Sequence, residues 1–66
     1  MPHRKLNERQ MQVLIGIAND QSLKEIAHKL KVSHKTVEFH WRKLRLALGI
    51  KTQVAAALYA HRHNIK

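Results

Sequence analysis

The chain has 66 residues, of which 13 are Lys or Arg against 4 Asp or Glu, giving a formal charge of +9. A domain of this size hides only about 60% of the surface its unfolded chain exposes, so it has no room for a deep catalytic cavity. With no cysteine present, neither a disulfide framework nor a thiolate metal site props up the core. Apolar residues at 44% are too many for a disordered basic tail, and no apolar run approaches the ~20 residues of a membrane span. The expectation is one soluble domain over residues 1–66 that is not an enzyme. Met1-Pro2-His3-Arg4-Lys5 is basic but no hydrophobic stretch follows it, so nothing directs export and the expected location is cytoplasmic. A pI near 10.8 predicts an anionic partner, nucleic acid ahead of an acidic membrane surface.

Pro2 is the only proline and Gly16 and Gly49 the only glycines, which leaves little of the turn chemistry that hairpins need and predicts an all-α fold. Asn7 with Gln10 forms an approximate capping box, and Leu6 with Met11 a hydrophobic staple across it. A first helix over about 8–19 follows, with Met11, Val13, Leu14, Ile17 and Ala18 at helical spacing until Asn19-Asp20-Gln21 interrupts them. Ser22-Leu23-Lys24-Glu25 is a full S-x-x-E capping box, and the second helix it opens, about 23–30, turns Ile26, Ala27 and Leu30 inward. Ser33 caps a third helix close behind, with Val32 and Val37 at staple positions; two helices linked this tightly read as a helix-turn-helix. The third runs over 34–48 to Gly49, well suited to a left-handed stop, where Ile50 folds back on Leu44. Thr52 caps a fourth helix over about 53–63, and Asn64 with Ile65 repeats the stop more weakly. No internal repeat, linker or low-complexity segment interrupts the four, and the charge is not collected into a tail.

Spacing residues at about 100° puts Val37, His40, Trp41, Leu44, Ala47 and Leu48 on one side of the third helix, the core stripe. Lys35, Glu38, Phe39, Arg42 and Leu46 fall on the other, with Lys43 and Arg45 on its flanks. A plain solvated face has no use for Phe39, so this side reads as an interaction surface. A helix fits the major groove of DNA. There Arg42 donates to guanine O6 and N7, Phe39 touches a thymine methyl, and Glu38 accepts from cytosine N4. Ser33, His34, Lys35 and Thr36 at the amino end hold phosphate and set register, joined by Lys24 and Lys43. The competing assignments make Arg42 and Lys35 ordinary solvated charges and Phe39 a satellite core residue under the N-terminal arm. Trp41 belongs to the core, and His40 is expected as a hydrogen-bonded structural histidine rather than a switch.

Six histidines raise the question of a metal, but no pair is spaced i, i+4, and His61 and His63 point to opposite sides, so no metal is expected. Ser22, Ser33, Thr36 and Thr52 are accounted for as caps or phosphate contacts, and Glu8, Asp20, Glu25 and Glu38 lie scattered. No catalytic residue and no cofactor is expected. The fourth helix carries Val54, Ala57, Leu58 and His61 on one side and Ala56, Tyr59, Ala60 and His63 on the other. One stripe serves the core. The first-named is expected to face a partner, its small alanine permitting the close approach of an isologous dimer. The alternative is a domain that wraps both stripes.

Taken in order, Leu6 to Gln10, Val13-Leu14, Ser22-Leu23-Lys24-Glu25-Ile26-Ala27, Val32-Ser33-His34-Lys35-Thr36-Val37-Glu38-Phe39-His40, Leu48-Gly49-Ile50 and Ala56-Ala57 resemble the LuxR/FixJ (GerE-like) DNA-binding domain. The resemblance covers residues 6–65, and its most specific pieces are K-E-I-A, V-S-x-x-T-V-x-x-H and L-G-I in sequence. It implies a four-helix helix-turn-helix domain that regulates transcription, reads double-stranded DNA with its third helix and forms a homodimer through its fourth on a two-fold site. It places Lys35 and Thr36 on phosphate and Glu38, Phe39 and Arg42 in the groove. A regulator of this kind works on the nucleoid, with RNA polymerase or another regulator as a further partner. The chain departs from the family at Glu38, often lysine, at Gln53, often arginine, at Leu23, often asparagine, and at Asp20, usually glycine. Ile15 and Gly16 swap the expected polar and apolar residues, which predicts an extra apolar spot on the first helix. Two other readings stay open: a module that pairs with or sequesters another regulator through the fourth helix, and a sigma-factor-like promoter-recognition region. His40 and the complete fourth helix favour the regulator over the latter. Membrane binding ranks last, since the cations are spread over several helices instead of lining one face.

Overall fold

The computed structural model describes residues 6–64, which form α1 (Glu8–Ala18), α2 (Leu23–Leu30), α3 (His34–Leu48) and α4 (Gln53–Arg62), with no strand among the described residues. The chain is an all-α helix-turn-helix. α1 and α4 each stop one residue earlier than the sequence pattern suggests, because Asn19 and His63 are their C-caps. Met1 to Lys5 and Ile65 lie outside the described residues, so the basic arm and the second half of the Asn64-Ile65 stop belong to the sequence alone.

Each helix starts on the residue whose side chain can take its orphaned amides. Asn7 Oδ1 accepts from the Gln10 amide at 2.8 Å while Gln10 Oε1 accepts from the Asn7 amide at 3.1 Å. Ser22 and Glu25 make the same reciprocal pair at 3.0 and 2.9 Å. The Ser22 backbone amide, and after it the Ser22 hydroxyl, holds the Glu25 carboxyl below the usual carboxylate range. Ser33 Oγ accepts from the Thr36 amide and Thr52 Oγ1 from the Ala55 amide. Losing one such cap to alanine typically costs about 0.5–2 kcal/mol.

The three internal stops share one device. Asp20, Lys31 and Gly49 take left-handed backbone conformations at φ 64°, 60° and 67°. The residue after each returns its amide to the helix, Gln21 to Gly16 O and Val32 to Ala27 O at 3.0 Å, and Ile50 to Arg45 O at 3.1 Å. Asp20 thus keeps the backbone that a glycine would take, because aspartate visits that region more readily than most residues. Lys31 has no such excuse, and a left-handed L-residue costs roughly 1–2 kcal/mol. The cost is offset by the short Lys31-Val32-Ser33 turn, which lets Val32 pack against the core and sets α3 directly behind α2.

α1 lies at the centre, against α2, α3 and α4, and α2 also packs on α3. The core joins Leu6, Val13, Leu14 and Ile17 to Ile26 and Ala27 of α2, Val37, Trp41 and Leu44 of α3, and Ala56 and Ala60 of α4. Ala47, Leu48 and Ile50 lie half-buried at its edge rather than inside it. The expected structural hydrogen bond of His40 is not made: its Nδ1 is buried without a partner. The stripe is centred on Val37, Trp41 and Leu44, so His40 sits at its margin, where its ring meets the edge of Phe39 instead of a polar group. Ile15, expected as an extra apolar spot, is partly exposed. It lies half-buried in a shallow depression with Gln12, Asn19, Ile26 and Leu30.

Gly16 belongs to that contact for a steric reason. A Cβ there would lie 2.6 Å from Ile26 Cγ1 and 2.8 Å from Ile26 Cδ1, so the bare α-carbon is what lets α2 close onto α1. Alanine improves helix propensity by about 1 kcal/mol, whereas overpacking a filled core costs about 1–3 kcal/mol. Ile26 is buried and its side chain has to shift to admit the added methyl, so Gly16→Ala is expected to lower stability in urea titration by about 1 kcal/mol net. A variant more stable than the parent would show that the α1–α2 contact yields freely.

Candidate nucleic-acid interface

Burying Val37, Trp41 and Leu44 fixes the roll of α3, and with it what the opposite side presents. Lys35, Glu38, Arg42 and Lys43 are exposed there, together with Phe39 at 50% and Leu46 at 74% of their full accessible surface. Phe39 thus stands outside the core of the described residues, and the N-terminal arm under which the alternative assignment packs it lies outside them. The Phe39 ring is held in place by its neighbours: the His40 ring meets it edge-on at 5.5 Å and 71°, and Lys43 Nζ stands 5.5 Å from its centroid. Such a cation-π contact at an exposed site is worth about 0.5–1 kcal/mol, enough to bias Lys43 toward Phe39 without locking it.

At the amino end of α3, Ser33, His34 and Lys35 are exposed and Thr36 is half-buried. The Ser33 and Thr36 hydroxyls lie 2.8 Å apart and share a hydrogen bond, so part of their capacity is already spent on the cap. The first amides of α3 have no partner within the helix, as at any helix start, and they complete an electropositive end. Lys24 is also exposed but stands apart, in the first turn of α2. From Lys35 to Arg42 is seven residues, or about 10 Å along the axis, close to the ≈ 12 Å width of a major groove. The arrangement can therefore set phosphate binders at one groove edge and Glu38, Phe39 and Arg42 over the base edges.

On α4, Ala56 and Ala60 are fully buried toward the core, while Val54 and Leu58 remain 71% and 58% exposed and His61 is exposed. A domain that wraps both stripes is thereby excluded. Ala57 is half-buried and lines a shallow depression with Val54, Leu58 and Gln53 of α4 and Ile17, Asp20 and Gln21 from the end of α1. On the other stripe Tyr59 is half-buried and its ring lies 4.3 Å from that of His63, which is exposed.

The fold also sorts the charge. Lys24, Lys29, Lys31, Lys35, Arg42, Lys43, Arg45 and Lys51, eight of the 13 cations, fall in α2, α3 and the turns beside them. Residues 10–23 and 52–61 contain no Lys or Arg, and these are most of α1 and α4, which pack together. The two neutral windows are visible in the sequence, but only helix packing makes them one flank. Sequence reasoning also gave no role to Arg45, whose guanidinium lies 5.5 Å from the Trp41 ring centroid, or to Lys51. The i, i+4 spacing of Trp41 and Arg45 is the one sequence signal that points to their pairing.

No helix among the described residues is long and apolar enough to cross a membrane. Residues 4–60 match the family described as bacterial regulatory proteins, luxR family. The chain is 34% identical over 65 residues to the transcriptional regulatory protein LiaR of Bacillus subtilis (strain 168), covering 98% of this chain and 31% of LiaR. It is 41% identical over 61 residues to the uncharacterized transcriptional regulatory protein YhcZ of the same organism, covering 92% of this chain and 28% of that protein. It is 35% identical over 60 residues to the response regulator protein VraR of Staphylococcus aureus (strain Mu3 / ATCC 700698), covering 91% and 29%. The chain thus spans about three tenths of the length of these relatives. No solved structure gives a significant match. Four capped helices with a tight turn before α3, and a family match over most of the chain, lead to one assignment: the chain belongs to the luxR family of bacterial regulatory proteins and carries its helix-turn-helix DNA-binding domain.

Proposed function

We propose that the domain binds double-stranded DNA by sequence, as a cytoplasmic transcriptional regulator, with α3 in the major groove and α4 pairing two copies on a two-fold site. The observation that carries this reading is the exposed side of α3, where cations, one acid and a half-exposed aromatic ring are held outward by a filled core. Arg42 reads guanine through O6 and N7, Phe39 packs on a thymine methyl, and Glu38 takes the cytosine amino group. Ser33, His34, Lys35 and Thr36 hold phosphate, with Lys24 and Lys43 beside them. Glu38 restricts the sequence that can be bound, because any placement other than a base donor brings it toward phosphate.

Self-association is supported by the charge map. A chain carrying +9 repels its own copies over most of its surface, and the α1–α4 flank, whose helices carry only Arg9 and Arg62 at their outer ends, is where two copies meet with the fewest opposing cations. Val54, Leu58 and His61 are exposed on that flank beside Ala57, and a two-fold axis through such a patch sets each residue against its own symmetry mate's neighbours.

Arg42→Ala is expected to relax preference at a single base pair at a cost of ~1–3 kcal/mol for the preferred site, measured by fluorescence anisotropy against a panel of point-substituted duplexes. Equal weakening on every duplex would put Arg42 on phosphate instead. For α4, Leu58→Glu is expected to convert cooperative filling of a two-fold site into independent binding of half-sites, read by sedimentation of the protein–DNA complex. Unchanged stoichiometry and cooperativity would remove α4 from the interface.

A further inference from the structure

We infer that Asp20 receives Arg62 of a second copy, so that two reciprocal ion pairs hold the α4 helices of a pair antiparallel. The inference rests on the reading that α4 pairs two copies, and it concerns what sets their direction. Val54, Leu58 and Arg62 follow one another at i, i+4 spacing along α4, and all three are exposed. The first two are apolar, and the third is the one Lys or Arg that α4 carries. The surface that two copies share is therefore positively charged at one end only.

Where the charges fall decides between the two ways of pairing such helices. A two-fold axis parallel to α4 sets Arg62 beside its own symmetry mate and aligns the two helix dipoles, and both contacts repel. An axis perpendicular to α4 at Leu58 lays the helices antiparallel instead. Arg62 and Val54 each stand four residues from Leu58, about 6 Å along the axis, so Arg62 of one copy then falls beside Val54 of the other. That is the amino end of α4, which by itself disfavours a cation. Val54, however, shares a depression with Asp20 and Gln21 from the end of α1. Asp20 is the one acid there, since Glu8, Glu25 and Glu38 line no part of it.

Asp20 is also free for this contact. It is exposed, and neither it nor Arg62 makes an ion pair among the described residues. The turn that Asp20 occupies has no use for a carboxylate. Its two hydrogen bonds, from the Asp20 amide to Ile17 O and from the Gln21 amide to Gly16 O, are both backbone. At φ 64° a glycine would make the same stop with less strain. A carboxylate kept there, beside the apolar patch of α4, matches the charge that a second copy brings. The planar fork of an arginine suits a carboxylate through two parallel hydrogen bonds, and its length lets the pair form at the rim while Leu58 meets its symmetry mate at the centre.

The test is cooperative binding of the full chain to a two-fold duplex selected from random sequence, with the same duplex scrambled in one half as the control for half-site affinity. Asp20→Gly keeps the turn and removes the charge, and Arg62→Gln removes its partner. Each is expected to lower cooperativity about two- to thirty-fold, the range for two exposed ion pairs, with half-site affinity little changed. Asp20→Gly should at the same time melt no lower than the parent, which separates loss of the contact from loss of the fold. Charge reversal completes the test. Asp20→Lys, whose side chain tolerates this backbone as Lys31 does, and Arg62→Glu should each lower cooperativity, and the double variant should restore it. Unchanged cooperativity in the single variants, or no recovery in the double one, would overturn the ion pair. If Leu58→Glu still abolished cooperativity, pairing through α4 would stand without it. A parent chain that fills the two half-sites independently would overturn the pairing itself and this contact with it.

Discussion

Everything the surface of α3 does depends on which side of that helix is buried. Val37, Trp41 and Leu44 recur at helical spacing and fill the space between α1 and α2, and a helix pinned along one stripe has no freedom to roll. The outward residues are then determined by subtraction: Lys35, Glu38, Phe39, Arg42 and Leu46 have nowhere else to point. Gly16 serves the same constraint from behind, since it lets Ile26 approach α1 closely enough for α2 to support α3. The left-handed Lys31, costly by itself, is kept because the turn it makes brings Ser33 to cap α3 within three residues of the end of α2.

The same packing divides the molecule electrostatically. α2, α3 and the turns beside them carry most of the cations, while α1 and α4 meet along a flank with almost none. The two surfaces answer opposite requirements. A nucleic-acid face gains from concentrated positive charge through counterion release, and a self-association face gains from its absence. On the proposed reading, segregating them on one small domain leaves each free of the other's requirement, and Val54 and Leu58 stand exposed on the neutral side.

Much of this is legible in the sequence. The caps at Asn7, Ser22, Ser33 and Thr52 each satisfy a particular amide, and caps are local, so the four helices stand within one residue of where their caps predict. The core stripe of α3 is legible because its period is local too. What escapes depends on contacts between elements. The burial of His40 Nδ1 without a partner reflects a position at the edge of the stripe that angle counting does not resolve. Ile15 is partly closed over by α2, which no pattern within α1 reports. Arg45 and Lys51 come together only because Gly49 reverses the chain between them, and the neutral flank exists only once α4 is laid on α1.

On the proposed reading, one outward stripe of α3, fixed by its buried stripe, reads DNA sequence. Selecting binding sites for the full chain from a pool of random duplexes tests it most directly. The expected outcome is an enriched site with two-fold symmetry in which each half contains a guanine contacted by Arg42, with that guanine no longer enriched when Arg42→Ala is used for selection. A pool that binds in a salt-dependent manner yet enriches no sequence would contradict it, reducing the stripe to a general polyanion surface.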